Sequence, residues 1–145
     1  MVLNTDTLDH EAGQAKCRQY GGMLPEPRSD YQNRFLSDLG TSMFPLGMTD
    51  KDKEEDWRWD SDGSEVVNTK WHKGERDNTN PRGGPENCAV MNRNYYDYSK
   101  RSFNDWADIS CTSSSSPSWW FYKNINLICQ RNTSKRSCSF CNTLV

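Results

Sequence analysis

Acidic side chains and amides in this 145-residue chain are concentrated in loop-like segments and next to cysteines. These residues are Asp50, Glu54, Glu75, Asp77, Glu86, Asn87, Asp105 and Asp108. A calcium ion takes about six to eight oxygen ligands from carboxylates, amide carbonyls and water. Any one acidic loop residue is usually only solvated, but loops that converge in the fold could supply such a set. The joint placement of these groups therefore predicts a calcium site.

Residues that could perform catalysis are few. The two histidines, His10 and His72, are predicted to lie on a solvated helix face and in a polar loop. The sequence has neither a Gly-x-Ser-x-Gly nucleophile motif nor a glycine-rich phosphate loop. Cys138 and Cys141 have the spacing of a zinc-ligand pair, but no second pair accompanies them. The pattern favours a binding protein that is not an enzyme.

The bulk composition excludes several classes of function. The formal net charge of −2 gives no electrostatic footprint for nucleic acid. No apolar run approaches the roughly 20 residues that span a bilayer, so membrane insertion is not expected. No signal peptide is visible, as expected for a mature or truncated form. The hydrophobic fraction is only 33%, but six Trp, six Tyr and five Phe predict a small core filled by large rings.

Six cysteines in a chain of this size favour an oxidising, extracellular compartment. A cytosolic protein with free thiols is the alternative. Many pairings of six cysteines are possible, so their number alone leaves the connectivity open.

Two helices are predicted near the start of the chain. The first runs from Thr7 to Tyr20, where helix-forming residues precede a pair of glycines. The second runs from Ser29 to Leu39, between a capping box and Gly40. The predicted apolar faces are Leu8, Ala12 and Ala15 on the first helix and Tyr31, Phe35, Leu36 and Leu39 on the second.

After Gly40 the helical periodicity gives way to short apolar runs between Gly, Pro, Asn, Asp and Ser. The candidate strands are residues 43–48, 57–59, 88–91, 106–111 and 119–129. The aromatic run Trp119 to Tyr122 is interpreted as part of a core strand, with an exposed partner-binding patch as the alternative. The polar segment from Asn68 to Asn87 has the length of a functional loop. This order of elements indicates an α+β domain.

Several segments, taken together in order and spacing, resemble the C-type lectin domain from about Thr7 to Gln130. They are Glu11–Cys17, Tyr20–Leu24, Phe44–Asp50, Trp57–Gly63, Glu86–Ala89, Trp106–Cys111 and Leu127–Cys129. The resemblance implies a C-type lectin-like fold with two helices, short antiparallel strands and a long ligand-binding loop region. The domain would span residues 1–131 and a C-terminal tail residues 132–145. The implied disulfides are Cys17–Cys129 and Cys88–Cys111.

The resemblance also implies two calcium sites. The sugar-binding calcium would be held by Glu75, Asp77, Glu86 and Asp108, and a second calcium by Asp50, Glu54, Asn78, Glu86 and Asn87. Three features differ from the family pattern, in which the tripeptide reads Glu-Pro-Asn or Gln-Pro-Asp. Arg76 replaces a cis proline, Glu75 and Asp77 are both acids where the family pairs an acid with an amide, and Ala107 replaces an asparagine ligand. Asn104 and Asp105 could replace Ala107 and Asp108 as ligands if the strand is bulged.

The function implied by the resemblance is that of a secreted, calcium-dependent lectin whose partners are glycans or glycoproteins. Weak affinity at each site would favour an oligomer. The alternative is a lectin-like domain that binds protein or mineral surfaces, with calcium structural or absent. Arg76 and Ala107 lean toward this alternative, and the sequence does not identify a particular sugar.

Overall fold

The structure is a computed structural model, and it describes residues 1–5, 9–40, 43–74, 78, 84–91, 105–112 and 125–131. The elements are β1 (Val2–Thr5), α1 (His10–Gln19), β2 (Gly22–Met23), α2 (Asp30–Leu39), β3 (Phe44–Thr49), β4 (Arg58–Trp59), β5 (Cys88–Met91), β6 (Trp106–Ile109), β7 (Ile125–Ile128) and β8 (Gln130–Arg131). The predicted α+β fold is confirmed. Neither described helix has the length and apolar character needed to cross a bilayer.

The described strands pair antiparallel in three groups. The main sheet has the order β4-β3-β5-β6, while β1 pairs with β7 and β2 pairs with β8. The first strand, β1, has four residues and places Val2 opposite Ile128. Of the last predicted strand, Ile125–Ile128 is present, while Trp119 to Tyr122 lie outside the described residues.

Helix α1 begins one residue after Asp9, whose side chain accepts a hydrogen bond from the Ala12 N–H at 3.0 Å. The predicted apolar face is wrong, because Ala12 and Ala15 are exposed and Leu8 lies outside the described residues. The buried residues are Gly13, Gln14 and Cys17. Two tertiary constraints decide this orientation: the disulfide at Cys17 and the close approach of Leu24 to Gly13.

His10 was expected on a solvated face, but its side chain is only 13% exposed. Its Nε2 lies 2.7 Å from Asp60 Oδ2, and the Gln14 amide donates to the same carboxylate oxygen. The backbone N–H of His10 also donates to the Cys111 carbonyl at 3.1 Å. These contacts join the first turn of α1 to the turn after β4 and to Cys111, and they explain why the histidine is mostly buried.

Helix α2 has the predicted ends. The Ser29 hydroxyl accepts from the Gln32 N–H at 3.2 Å, and the Gly40 N–H donates to the Leu36 carbonyl at 3.0 Å. The Gln32 side chain accepts from the Arg28 N–H at 2.8 Å, so its capping bond falls one residue earlier than in a standard capping box.

The predicted apolar face of α2 is mostly wrong. Tyr31, Phe35 and Leu39 are exposed, and Leu36 is the buried member of the predicted set. The helix turns Asn33 and Ser37 inward together with Leu36. The Asn33 side chain accepts a hydrogen bond from the indole N–H of Trp106 at 2.7 Å, which satisfies both buried polar groups.

Large rings fill the core, as predicted. Trp57, Trp59 and Trp106 are buried, and Trp71 packs against them. The centroid of the Trp106 ring lies 6.3 Å from that of Trp59 and 5.6 Å from that of Trp71, both in edge-to-face geometry. This arrangement is favourable for aromatic pairs and lets few residues build a core.

Two disulfides join described residues, and they are the pairs implied by the resemblance. Cys17–Cys129 joins α1 to the residue after β7, and Cys88–Cys111 joins the start of β5 to the segment after β6. Cys138 and Cys141 belong to residues 132–145, which lie outside the described residues, so the predicted tail boundary stays a prediction.

Candidate metal site

The first part of the site follows β3, where Asp50 comes directly after Thr49. The Asp50 N–H donates to the Asn87 carbonyl at 3.2 Å, which joins the end of β3 to the segment before β5. The chain then turns through Glu54 and Glu55, and Glu55 adopts a φ of +68°. The Glu55 N–H donates to Asp50 Oδ2 at 3.0 Å. The turn therefore fixes one Asp50 oxygen and brings the charge of Glu54 close to it.

Asn78 joins three acidic segments. Its backbone N–H donates to Asp108 Oδ2 at 3.0 Å, and its side-chain amide donates to Glu54 Oε2 at 2.8 Å. Its Oδ1 accepts from the Glu86 N–H at 2.8 Å. The residue has a φ of +52°, a left-handed conformation that asparagine tolerates better than most residues. A short polar side chain at position 78 thus links the loop to the sheet.

Burial concentrates negative charge at this place. Asp50, Glu86 and Asp108 are only 3%, 4% and 1% exposed. Burial raises the pKa of the Asp50 carboxyl; the backbone hydrogen bond from Glu55 opposes this, and the Asp108 carboxylate adds to it. Desolvation and then the charges of Asp50, Glu55 and Asp108 raise the pKa of Glu54. Buried carboxylates are rare unless they are paired or bind a metal.

One carboxylate oxygen of Asp50 is buried without a hydrogen-bond partner in the described part of the chain. Asp50 Oδ1 is inaccessible to water and forms no hydrogen bond with another described residue, whereas Oδ2 accepts from Glu55. An unsatisfied buried carboxylate oxygen costs free energy. A cation beside Oδ1 would remove that cost.

The residues present fit calcium by their chemistry. The donors predicted for the second calcium are carboxylate and amide oxygens from Asp50, Glu54, Asn78, Glu86 and Asn87, the hard ligands that calcium prefers. Among the described residues, no three or more His, Cys, Asp or Glu side chains already form a metal-binding group. The amide of Asn78 instead satisfies Glu54 by hydrogen bonding. Full coordination would therefore need this amide to turn.

The predicted sugar-calcium site is described only in part. Glu75, Arg76 and Asp77 lie outside the described residues. Glu86 and Asp108 are both described and both contact Asn78.

The alternative ligands at the start of β6 find no support in the described residues. Asn104 lies outside them, and the register between β5 and β6 is continuous over all four pairs of β6. The carboxylate of Asp105 lies 2.8 Å from His72 Nδ1. The side chain of Ala107 is buried in an apolar cluster with Val90 and Ile109.

The pairing of β6 with Lys70–His72, near the start of the predicted long loop, was missed by sequence reasoning. The Trp106 N–H donates to the Lys70 carbonyl, and the His72 N–H donates to the Trp106 carbonyl, both at 2.8 Å. No local sequence signal marks this parallel contact, because the two segments are more than 30 residues apart. It places the start of the long loop beside the strand that carries Asp108.

The family described as "Lectin C-type domain" matches residues 7–117 of the chain. A perlucin-like protein from Mytilus galloprovincialis is 29% identical over 110 residues, which cover 72% of this chain and 63% of that protein. The chain spans less than two thirds of the length of the curated relatives it matches.

Solved structures share the fold at lower identity. The cow C-type carbohydrate-recognition domain of CD23, studied in the presence of a GlcNAc2Man3 oligosaccharide, is 19% identical with a TM-score of 0.67. That match covers 91% of this chain and 86% of the other. A calcium-independent type II antifreeze protein is 17% identical with a TM-score of 0.61, over 88% of this chain and 82% of the other.

Proposed function

The chain belongs to the C-type lectin domain family, and from this premise we propose that it is a secreted, calcium-dependent lectin that recognises glycans. The observation that carries the proposal is the buried acidic cluster around Asn78. It contains Asp50, with one unsatisfied buried oxygen, and the buried carboxylates of Glu86 and Asp108. A domain without a cation there would carry the cost of that buried, unsatisfied Asp50 oxygen.

Bound calcium would supply positive charge at the convergence of three segments. Asp50 and Glu54 would contribute carboxylates from the turn after β3, and Asn78 its amide oxygen from the long loop. Glu86 and Asn87 would contribute from the segment before β5. Because the Asp50 N–H already donates to the Asn87 carbonyl, two of these segments are held in register before any ligand is added.

Sugar recognition would use the neighbouring group of Glu75, Asp77, Glu86 and Asp108. Glu86 would serve both ions. The Asn78 N–H, which donates to Asp108 Oδ2, and Asn78 Oδ1, which accepts from the Glu86 N–H, would hold the two residues in place. Glu75 and Asp77 are acceptors when ionised, so they would accept from the sugar hydroxyls and offer them no donor. We expect weak binding of a single sugar, with a dissociation constant around millimolar or weaker.

A second candidate function is recognition of a protein or mineral surface without sugar. The apolar burial of Ala107 favours it, because the family's amide ligand is replaced by a methyl group that packs in an apolar cluster. The fold also occurs in a calcium-independent type II antifreeze protein. Calcium would then be structural or absent.

The two candidates are separated by a glycan array probed with the protein in calcium and in chelator, beside the variant Asp108→Asn. Calcium-dependent signals that the variant lacks would support the lectin. A folded, calcium-binding wild type without glycan signals would favour the surface-binding alternative.

A non-catalytic role fits the family, which is a class of binding domains. An oxidising extracellular compartment fits the two disulfides.

A further inference from the structure

The outer face of α2 carries a ridge of large apolar side chains. Tyr31, Phe35 and Leu39 recur at every fourth position and are 79%, 55% and 38% exposed. Such spacing places them on one face of the helix, along about 12 Å of its length. Single exposed apolar residues are ordinary, but an aligned set on a helix with its own buried face indicates a second packing surface.

A groove continues this α2 ridge at its C-terminal end. It has a volume of about 530 Å³, and its apolar lining includes Phe35, Leu39, Met1, Tyr20 and Ile128. Met1 and Tyr20 are themselves about half exposed. The groove is therefore chemically suited to bind an exposed apolar side chain.

Two charges run along one side of the α2 ridge. Arg34 and Asp38 are exposed, one helical turn apart, and neither forms an ion pair with another described residue. In an antiparallel pairing of two such helices, the arginine of each copy comes opposite the aspartate of the other. The face is thus complementary to itself in charge.

We propose that α2 forms the interface of a two-fold symmetric homodimer. The two helices pack antiparallel with Phe35 at the symmetry axis. Tyr31 then lies opposite Leu39 of the second copy and enters its groove, while Arg34 pairs with Asp38 of the second copy. Every contact occurs twice, as a closed isologous interface requires.

The observations favour a second copy over other occupants. A membrane surface would select cationic residues on this face, whereas here one acid accompanies one base. An unrelated amphipathic helix would fill the apolar ridge but would gain nothing from reciprocal spacing of Arg34 and Asp38. The groove at one end and the most exposed side chain, Tyr31, at the other also fit each other across a two-fold axis.

The direct test is sedimentation velocity of the full chain, from micromolar to several hundred micromolar, in chelator and in calcium. The wild type should shift from monomer to dimer in both buffers, because the interface uses no acidic loop. Phe35→Glu should raise the dissociation constant at least about tenfold. Ala15→Glu, which adds the same charge at an exposed position of α1, should leave it unchanged.

A charge swap makes the test specific to the antiparallel pairing. Arg34→Asp and Asp38→Arg should each weaken the dimer, and the double variant should restore it, because the reciprocal pairs re-form. Non-reducing gels would detect a covalent dimer through Cys138 or Cys141. A wild type that stays monomeric, a dimer that is solely covalent, a Phe35→Glu protein as dimeric as the wild type, or a double variant no better than the single ones would each overturn the proposal.

Discussion

At the scale of single residues, Asn78 and Asp50 have complementary electrostatic roles. Asn78 donates one hydrogen bond to Glu54 and another to Asp108, so it partly compensates the negative charge of two carboxylates. Asp50 keeps one buried oxygen to which no described residue donates a hydrogen bond. The loop is therefore partly held without a metal, and the remaining electrostatic cost lies at one identifiable atom.

We expect Asp50→Asn to abolish stabilisation by calcium. In the wild type, calcium at about 100 times its dissociation constant adds about 2.7 kcal/mol to the free energy of unfolding. The variant removes a charged ligand and changes little in shape. Thermal melting with calcium and with chelator measures the difference. Asp52→Asn, in the same exposed turn but outside the predicted ligand set, should keep the full calcium response. An unchanged melting temperature in the wild type would disprove the calcium site.

Restoring the family's sugar ligands should strengthen sugar binding. The triple variant Arg76→Pro, Asp77→Asn and Ala107→Asn should acquire calcium-dependent binding of mannose, because proline lowers the cost of the cis bond, which is about 3–4 kcal/mol for other residues. Ala107→Asn will itself lower the free energy of unfolding, because it places a polar amide in the apolar cluster with Val90 and Ile109. The double variant without Ala107→Asn is therefore the matched control in mannose titrations. A folded triple variant that binds calcium and ignores mannose would show that the sugar site is elsewhere.

At the scale of elements, local signals predicted the ends of helices better than their buried faces. Ser29 and Gly40 fix the ends of α2 by contacts within a few residues, so the sequence was sufficient. The buried face of α2 depends on the indole of Trp106, which hydrogen bonds to Asn33 from 73 residues away. The residues around Asn33 in the sequence therefore give no indication that its polar side chain will be buried.

The candidate site was also predictable only in part, because some of its features depend on distant contacts. The acidic types and their order pointed to Asp50, Glu86 and Asp108, and the structure brings these residues to one region. Asn78 belonged to the implied ligand set, but its hydrogen bonds to Glu54, Glu86 and Asp108 were not evident. They depend on a left-handed backbone and on contacts with three separate segments. The face of Ala107 was equally hidden, since it follows from the register of β6 on β5.

The turn after β4 should give the fold a measurable acid sensitivity. The Ser64 hydroxyl and N–H hold the pKa of Asp62 well below its usual range, with help from Arg28. A depressed pKa in the folded state stabilises the protein above the unfolded value near 4, and this stabilisation is lost as the pH falls through the folded value.

Urea unfolding at pH 7 and at pH 2 tests this turn. The stability difference between the wild type and Asp62→Asn should be largest at neutral pH and should shrink in acid. Ser64→Ala removes the hydroxyl donor but keeps the backbone N–H, so it should fall between the two. A difference that does not change with pH would mean that the carboxylate contributes no charge-dependent stability.

At the scale of the whole molecule, the two disulfides have separate roles. Cys17–Cys129 spans 112 residues and joins the two ends of the domain, whereas Cys88–Cys111 spans 23 and encloses β5 and β6. In the chain-entropy model the long closure contributes roughly 5 kcal/mol and the short one roughly 3 kcal/mol. The short bridge, however, adjoins the acidic site, since Cys88 directly follows Asn87 and Cys111 follows Asp108 by three residues.

Removing each bridge should therefore affect stability and calcium binding in opposite order. Cys17→Ser with Cys129→Ser should lower the free energy of unfolding more, because it frees the longer loop. Cys88→Ser with Cys111→Ser should weaken calcium binding more, because Glu86 and Asp108 lose the covalent tie between their segments. Calorimetric titration of calcium, performed well below each melting temperature, separates the two effects. Equal losses of calcium affinity in both variants would show that the site depends on the fold as a whole and not on the local bridge.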